Sequence, residues 1–417
     1  MMWLKSLAVG IIFMLYFIGG ANKSVIVSVL PLLAENINVS YIFIGGIIAA
    51  TYISAILANI VLMLLKIKEL RTMYILYLAI VCVSGLLMIL LSYCSTLKDK
   101  ILFTITCFLN RLLSGAAIAV EFPLAFTMLI TLFPDKSDFL AATVCLFFGL
   151  GQLLGPMMGS LFAAITSYPS ASFALLGILQ ITLIGILSIC LKSEFQREDE
   201  KTSSAEMVST DIKISWLHFI SITLNIFVFN VLMGFTDATI AIVYDKYLNM
   251  SYYNNWVLFL PREITYIITS VIITVLMNYG FRNITFFAFT VVFQFLSLLY
   301  GCGDFITSLD TLKVFYIILS GLQGFTYACY LPTSLLVMLN TIKESNASTT
   351  YEKLFVTNCR FLVQSFGRLC GSAAFGGFLF SYFTFHAISK MLFCLSLPLF
   401  LLNFFVMNKL KLLKILK

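Results

Sequence analysis

Eight charged side chains stand inside long apolar runs: Lys23, Arg111, Glu121, Asp237, Arg262, Glu263, Arg360 and Arg368. Charge among membrane-spanning residues is a functional candidate by default, because only pairing or a water-filled path offsets its desolvation. A carboxylate such as Asp237 or Glu121 can alternate between a proton and a cationic solute. A guanidinium such as Arg111 or Arg368 can hold an organic anion through paired hydrogen bonds. Five of the eight are basic and three acidic, a balance that leans toward an anion. Tyr327 and Tyr330 offer aromatic faces that suit a cation, although aromatic side chains at such spacing more often pack.

Position sharpens some of these readings. Arg111 lies ten residues into an apolar segment, about 15 Å along a helix and close to a bilayer midplane. There it either serves the reaction cycle or ties helices together, at a cost of at least ~2.5 kcal/mol if unpartnered. Glu121 is followed closely by Pro123, which is expected to unwind the helix locally. It reads equally as a proton or cation site at the cytoplasmic mouth and as an interfacial acid. Arg262 and Glu263 are adjacent and read as a neutralised helix contact, pointing about 100° apart. Arg360, Gln364 and Arg368 recur every four residues and form a polar stripe that no lipid-facing surface would carry. Lys390, near a helix end, is expected to snorkel to the headgroups.

Glycines supply the second kind of signal. Gly151, Gly155 and Gly159 lie at intervals of four with Pro156 beside them, and Gly367 and Gly371 repeat the spacing later. Such strips let helix backbones approach and slide. Gly115 lies four residues after Arg111.

These residues are carried by twelve apolar segments of spanning length, near 7–33, 39–65, 72–95, 101–130, 139–164, 170–191, 214–243, 255–279, 283–302, 312–340, 354–381 and 386–408. Hydrophobic residues are 61% of the chain and charged ones 11%, against roughly 25% charged in soluble proteins. A bilayer supplies the missing apolar solvent, and each crossing takes about 20 residues. The first segment is too long for a signal peptide and is expected to be a retained helix.

The two halves repeat one another. Gly19-Gly20-Ala21-Asn22 matches Gly234-Phe235-Thr236-Asp237 at an offset of 237 − 22 = 215. The glycine strips match at 367 − 151 = 216, and Gly115 matches Gly324 at 324 − 115 = 209. Asp237 is thereby mated to Asn22, with Lys23 beside it, facing a shared central cavity; the other reading puts Asp237 in water at a helix end. The expected fold is all-α, with twelve transmembrane helices in two six-helix pseudo-repeats: residues 1–191, a polar linker at 192–213 with a local charge of −2, and residues 214–417.

Loop charge orients the chain. Sixteen Lys and Arg fall on one side and four on the other, so both termini and the linker are expected in the cytoplasm. The net charge of +7 therefore reflects topology, and no nucleic-acid partner is expected. Ten cysteines form no Cys-x-x-Cys pair, and His218 and His386 read as helix-end residues, so neither disulfide nor metal is expected. Without a phosphate-cradling glycine loop or a soluble catalytic domain, the chain reads as no enzyme and no ATP-driven pump. A secondary transporter of small solutes remains, a monomer in the bilayer, needing no cofactor beyond a proton gradient.

Three stretches carry a family resemblance. Arg111-Leu-Leu-Ser-Gly115 resembles the fourth-helix signature of the major facilitators, and Gly149 to Gly159 resembles their antiporter signature. Phe147 to Phe162, Gly234-Phe-Thr-Asp-Ala-Thr-Ile240 and Val29-Leu-Pro31 are similar to the vesicular amine transporters, especially the polyamine branch. The resemblance implies proton-coupled antiport of a cationic amine or polyamine, in a vesicle, another endomembrane or the plasma membrane. It also implies a coupling role for Arg111. The chain departs from that family at Leu65 to Arg71, which lacks the Gly and Asp of the gating loop, and at Asn22, where the monoamine branch has an acid. An organic-anion carrier, or a receptor or scaffold descended from a transporter, stands as the alternative.

Overall fold

The structure, a computed structural model, describes residues 9–25, 41–64, 70–97, 99–132, 137–166, 171–202, 216–248, 256–279, 282–339 and 350–409. Among these residues every long element is a helix. They are α1 (Val9–Val25), α2 (Tyr41–Leu64), α3 (Leu70–Leu97), α4 (Lys100–Leu132), α5 (Ser137–Thr166) and α6 (Ala171–Thr202). There follow α7 (Trp216–Leu248), α8 (Trp256–Asn278), α9 (Arg282–Gly301), α10 (Leu309–Leu339), α11 (Thr350–Leu369) and α12 (Phe385–Lys409). Five helical stretches in the described residues are long and apolar enough to cross a membrane on their own composition. Leucine, isoleucine and phenylalanine point outward from many of them, with Leu64, Ile101 and Phe405 all more than 60% exposed, as suits an apolar solvent.

Contacts divide the chain into two compact units. One holds Met1–Leu132, Leu150–Ile214 and Ile342–Phe355; the other holds Phe133–Gly149, Ser215–Thr341 and Val356–Lys417. In the first, α4 packs on α2 and α3, and α3 on α6. In the second, α10 packs on α8 and α9, and α9 on α12. The neighbour scheme is the same.

Glycine contacts extend the likeness. A Cβ on Gly151 would run into the Phe17 carbonyl, and one on Gly155 into Ala21 O and Val25 N. The same happens between Gly367 and the Phe227 carbonyl, and between Gly371 and Val231 O and Phe235 N. Gly115 presses on the Thr51 carbonyl as Gly324 presses on that of Arg262. These contacts equate Phe17 with Phe227 and Ala21 with Val231, an offset of 227 − 17 = 210. The offset of 215 read from short glycine matches is therefore corrected: Asn22 and Asp237 are not equivalent positions. Helix packing follows the carbonyls a glycine touches, and a two-residue sequence likeness can slide by a turn.

Other expectations change too. α4 runs unbroken through Pro123, so the expected unwinding beside Glu121 is absent. α6 continues to Thr202, well past the expected start of the linker at 192, and residues 203–215 lie outside the described ones. The eleventh segment is not one α-helix. After Leu369 it widens into a π-helix, Cys370–Phe378, and then tightens over Leu379–Ser381. Its sequence, Cys-Gly-Ser-Ala-Ala-Phe-Gly-Gly-Phe, is mostly small residues, which exert little side-chain hold on an α-helical register.

The two cores differ in texture. Ala21, Val25, Met88, Leu91, Phe103, Phe173 and Leu176 form an aliphatic-rich cluster in the first unit. In the second, Phe229 sits edge-on against Phe289 and Phe293 at 5.0 and 5.4 Å and lies tilted against Tyr330 at 4.5 Å. Such pairs add about 0.5–1.5 kcal/mol each beyond the area they bury.

Candidate functional site

The densest buried polar cluster described lies in the second unit, where α7, α8, α10 and α11 each contribute. Asp237 of α7 accepts from two guanidiniums. Arg262 Nη1 donates to Oδ1 at 3.1 Å, and Arg368 Nη1 donates to Oδ2 at 3.3 Å. Arg262 also donates Nε to Glu263 Oε1 at 2.8 Å, and its Nη2 lies 2.7 Å from the same oxygen. Arg368 gives Nε to Asn230 Oδ1 at 3.2 Å and Nη2 to the Tyr327 hydroxyl at 3.1 Å. Its Cζ lies 5.5 Å from the Tyr327 ring centre. Side-chain exposure falls from 29% at Asp237 through 20% at Arg262 to 3% at Arg368, so the cluster has an accessible side and a sealed one.

A second layer fixes the first. Asn230 Nδ2 donates to the Tyr330 hydroxyl at 2.7 Å. Arg360 is fully buried and donates to Ser334 Oγ and to the Leu331 carbonyl, both at 3.0 Å, with Tyr330 under its plane at 5.4 Å. The polar stripe on α11 therefore faces α7 and α10. Gln364, between the two arginines, is buried, and its Oε1 has no hydrogen-bond partner among the described residues. Gln323 Nε2 donates to Thr236 Oγ1 at 2.8 Å, tying α10 to α7 one residue before Asp237.

The expected residues thus separate. Asp237, Arg368, Tyr327, Tyr330 and Gln364 come together, with Gln364 on the same helix face. Asn22, Lys23, Arg111 and Glu121 belong to the first unit. There Asn22 Nδ2 donates to Gln180 Oε1 at 2.6 Å, and Gln180 Nε2 donates to the Val81 carbonyl at 3.0 Å. Lys23 is half-buried on the last turn of α1. Arg111 is buried, with Nε and Nη2 on Asn110 Oδ1 at 3.3 and 2.8 Å, while Asn110 Nδ2 reaches the Ser84 carbonyl at 3.2 Å. Glu121 is only 8% exposed, against Gly19 of α1, where a Cβ would meet Oε2 at 3.7 Å. That burial fits an inward carboxylate and not a solvated one. The surroundings of Pro156, Gly159 and His218 lie outside the described residues.

Three partners escaped sequence reasoning. Arg262 reaches past its neighbour to Asp237. Tyr327 and Tyr330, read as a wall for a cationic solute, already carry the protein's own Arg368 and Arg360. Lys390 does not simply snorkel: its Nζ is 3.1 Å from Asp304 Oδ2, and His386 Nε2 is 3.6 Å from Oδ1 of the same carboxylate. Helical spacing could have grouped Arg360, Gln364 and Arg368, but no local signal joins residues 25 and 131 positions from Asp237.

The family profile of the Major Facilitator Superfamily matches residues 12–261. The chain belongs to that family, whose members are membrane transporters and not enzymes. The MFS-type transporter SLC18B1 of Rattus norvegicus is 26% identical over 188 residues, which is 45% of this chain and 40% of that protein. The Mus musculus protein of the same name matches to the same extent, so the alignment spans well under half of either relative. Among solved structures, the human organic anion transporter MFSD10 (TETRAN) superposes with a TM-score of 0.63 at 14% identity, covering 95% of this chain and 98% of that one. That likeness establishes the fold.

Proposed function

We propose that the protein is a secondary active transporter of small organic solutes driven by a proton gradient, with Asp237 as the residue that takes the proton. The observation that carries this reading is the Asp237 carboxylate between Arg262 and Arg368. Protonation would release two ion pairs at once, on helices α8 and α11, and a change in charge that reorders contacts between helices is what biases a two-state cycle.

The same observation bears on the cargo. A cationic amine needs a free carboxylate or a free aromatic face. Here the carboxylate faces two guanidiniums, and Tyr327 and Tyr330 face Arg368 and Arg360. An organic anion is the cargo this geometry favours, in keeping with the transporter of like fold. Proton-coupled antiport of a cationic amine or polyamine stands as the second reading, supported by the family resemblance of Phe147 to Phe162 and Gly234 to Ile240. Loop charge supports cytoplasmic termini, which puts the glycosylation sequons Asn38-Val-Ser40 and Asn249-Met-Ser251 on the far side and Asn283-Ile-Thr285 and Asn346-Ala-Ser348 on the cytoplasmic side.

Uptake into right-side-out and inside-out vesicles tests the reading. Organic anions should accumulate when a proton gradient is imposed and lose that dependence when it is collapsed. Accumulation indifferent to the gradient would rule out the proton-driven cycle. Glycan mapping checks the orientation, and sugar on Asn283 or Asn346 reverses it.

A further inference from the structure

Between α9 and α10 a 3-10 turn, Cys302–Phe305, packs on α12 near its start. Two glycines permit that approach. A Cβ on Gly301 would run into the Lys390 side chain, and one on Gly303 into the His386 imidazole. Asp304 of the same turn is shared by those two residues. Lys390 Nζ lies 3.1 Å from its Oδ2, and His386 Nε2 lies 3.6 Å from its Oδ1. The imidazole is buried, whereas the Asp304 and Lys390 side chains are 44% and 45% exposed. Solution therefore reaches the carboxylate while packing fixes the ring.

The other ring nitrogen settles the tautomer. His386 Nδ1 is 2.9 Å from the Tyr300 carbonyl oxygen, which can only accept, so Nδ1 carries the proton of the neutral ring. Nε2 of the neutral ring then turns a lone pair toward Asp304 Oδ1. Two acceptors face each other across 3.6 Å, longer than a hydrogen bond. A proton on Nε2 makes it a donor aimed at a carboxylate oxygen, and such contacts close to about 2.7–2.9 Å. We infer that His386 and Asp304 form an acid-closed clasp between the α9–α10 connection and α12, with Lys390 steadying the shared carboxylate. Histidine changes charge between about pH 5 and 8, so the clasp is closed on the acid side of that window and opens as pH rises through it.

Around the ring, α9 supplies Tyr300, the turn supplies Cys302 and Asp304, and α12 itself supplies Lys390. From α10, the Tyr316 ring lies 6.5 Å from those of Tyr300 and Phe385, while Asp310 and Lys313 pair with each other at 3.9 Å. α7 meets the start of α12 through Phe235, stacked on Phe385 at 5.0 Å, and its Asp237 is engaged by Arg262 and Arg368. Tyr382, ahead of α12, is exposed, and the side chains of Asp245 and Lys246 on α7 lie outside the described residues. Among these residue types only histidine ordinarily titrates between about pH 5 and 8. Tyr300 extends the clasp inward: its hydroxyl donates to Gln323 Oε1 at 3.3 Å, and Gln323 Nε2 donates to Thr236 Oγ1 at 2.8 Å. On the orientation proposed above, this end faces away from the linker, and acidity in the far compartment closes the clasp.

Amide hydrogen exchange of the detergent-solubilised full chain, in the presence of a chelator, reads the clasp without substrate or gradient, so it stands or falls apart from the transport reading. Two amides report on it: Ile306 N–H, bonded to the Gly303 carbonyl, and Ile388 N–H, bonded to the Thr384 carbonyl, both at 3.2 Å. Intrinsic exchange changes with pH alike in every variant, so wild type and variant are compared at each pH. At about pH 5.5 these amides should exchange about fivefold more slowly in wild type than in His386→Gln, the upper end for a half-exposed ion pair. At about pH 8 that difference should vanish. Asp304→Asn, which keeps the side chain's shape at an exposed position, should show the same acid-specific loss and decides the matter if His386→Gln fails to fold. Lys390→Gln should lose protection equally at both pH values, because lysine stays charged throughout. A loss that is the same at both pH values in His386→Gln and Asp304→Asn would make the cluster a plain structural contact and overturn the clasp. An acid-specific loss in Lys390→Gln alone would overturn it as well.

Discussion

Arg111 in the first unit and Arg368 in the second are both buried within apolar helices, yet they are anchored by different chemistry. Arg111 donates twice to the neutral oxygen of Asn110, its own neighbour in the chain. Arg368 meets a carboxylate, an amide and a phenol from two other helices. The helix neighbours and the glycine contacts around them are otherwise alike. The backbone scheme is alike in the two units while the buried charges differ: Arg368 is paired with a carboxylate, and Arg111 donates to a neutral amide. Backbone packing tolerates few changes, because each glycine faces a carbonyl, whereas a side chain pointing between helices can change freely once its partner changes with it.

Removing the arginines gives the largest expected contrast. Arg368→Ala leaves Asp237 with one guanidinium and strips donors from Asn230 and Tyr327. Breaking one partner out of a buried ion pair costs about 3–5 kcal/mol. Arg111→Ala removes a charge whose described hydrogen bonds go to a neutral group, so a loss of about 1–2 kcal/mol is expected. Thermal unfolding of the two detergent-solubilised variants measures the difference. Equal losses would mean that Arg111 has a charged partner of comparable weight, and the contrast between the units would collapse.

A smaller effect sharpens the likeness instead. Gly155→Ala and Gly371→Ala each force a methyl group against a backbone carbonyl of the facing helix, α1 or α7. Overpacking of this kind costs roughly 1–3 kcal/mol. The same loss is expected in each unit, together with reduced uptake by correctly inserted protein. A much milder effect at Gly371 would show that the π-helical turn yields where the α-helical one at Gly155 does not.

The smallest effect lies at the surface end of the second unit. Asp304→Asn removes the partner of Lys390 and the neighbour of His386, all near the ends of α9 and α12. Exposed pairs contribute about 0–1 kcal/mol and fade with salt. A stability loss well above that range, persisting in high salt, would make this cluster a structural equal of the inner one.

Much of this protein is legible in its residue order because a bilayer imposes a simple rule. Apolar runs long enough to span must be helices, since only a helix satisfies its own backbone without water. The expected segments and the helices accordingly agree, as at 39–65 for Tyr41–Leu64 and 255–279 for Trp256–Asn278. Glycines at intervals of four declare a close-packed face without naming the helix that meets it. The stripe Arg360, Gln364 and Arg368 declares an inward face in the same way.

Tertiary structure alone decided who meets whom. Nothing near Asp237 in the chain points to Arg262 or Arg368, because ion pairing between helices depends on rotation and register, which short sequence matches misjudged by five residues at Asn22. Local rules also overstated Pro123, through which α4 continues, and gave no sign of the π-helix after Leu369, where small residues let the backbone widen. The order of residues determined that charges would be buried and on which helices. Only the packing of those helices determined that one carboxylate would lie between two arginines, because the energy that selects this arrangement comes from groups far apart in the chain.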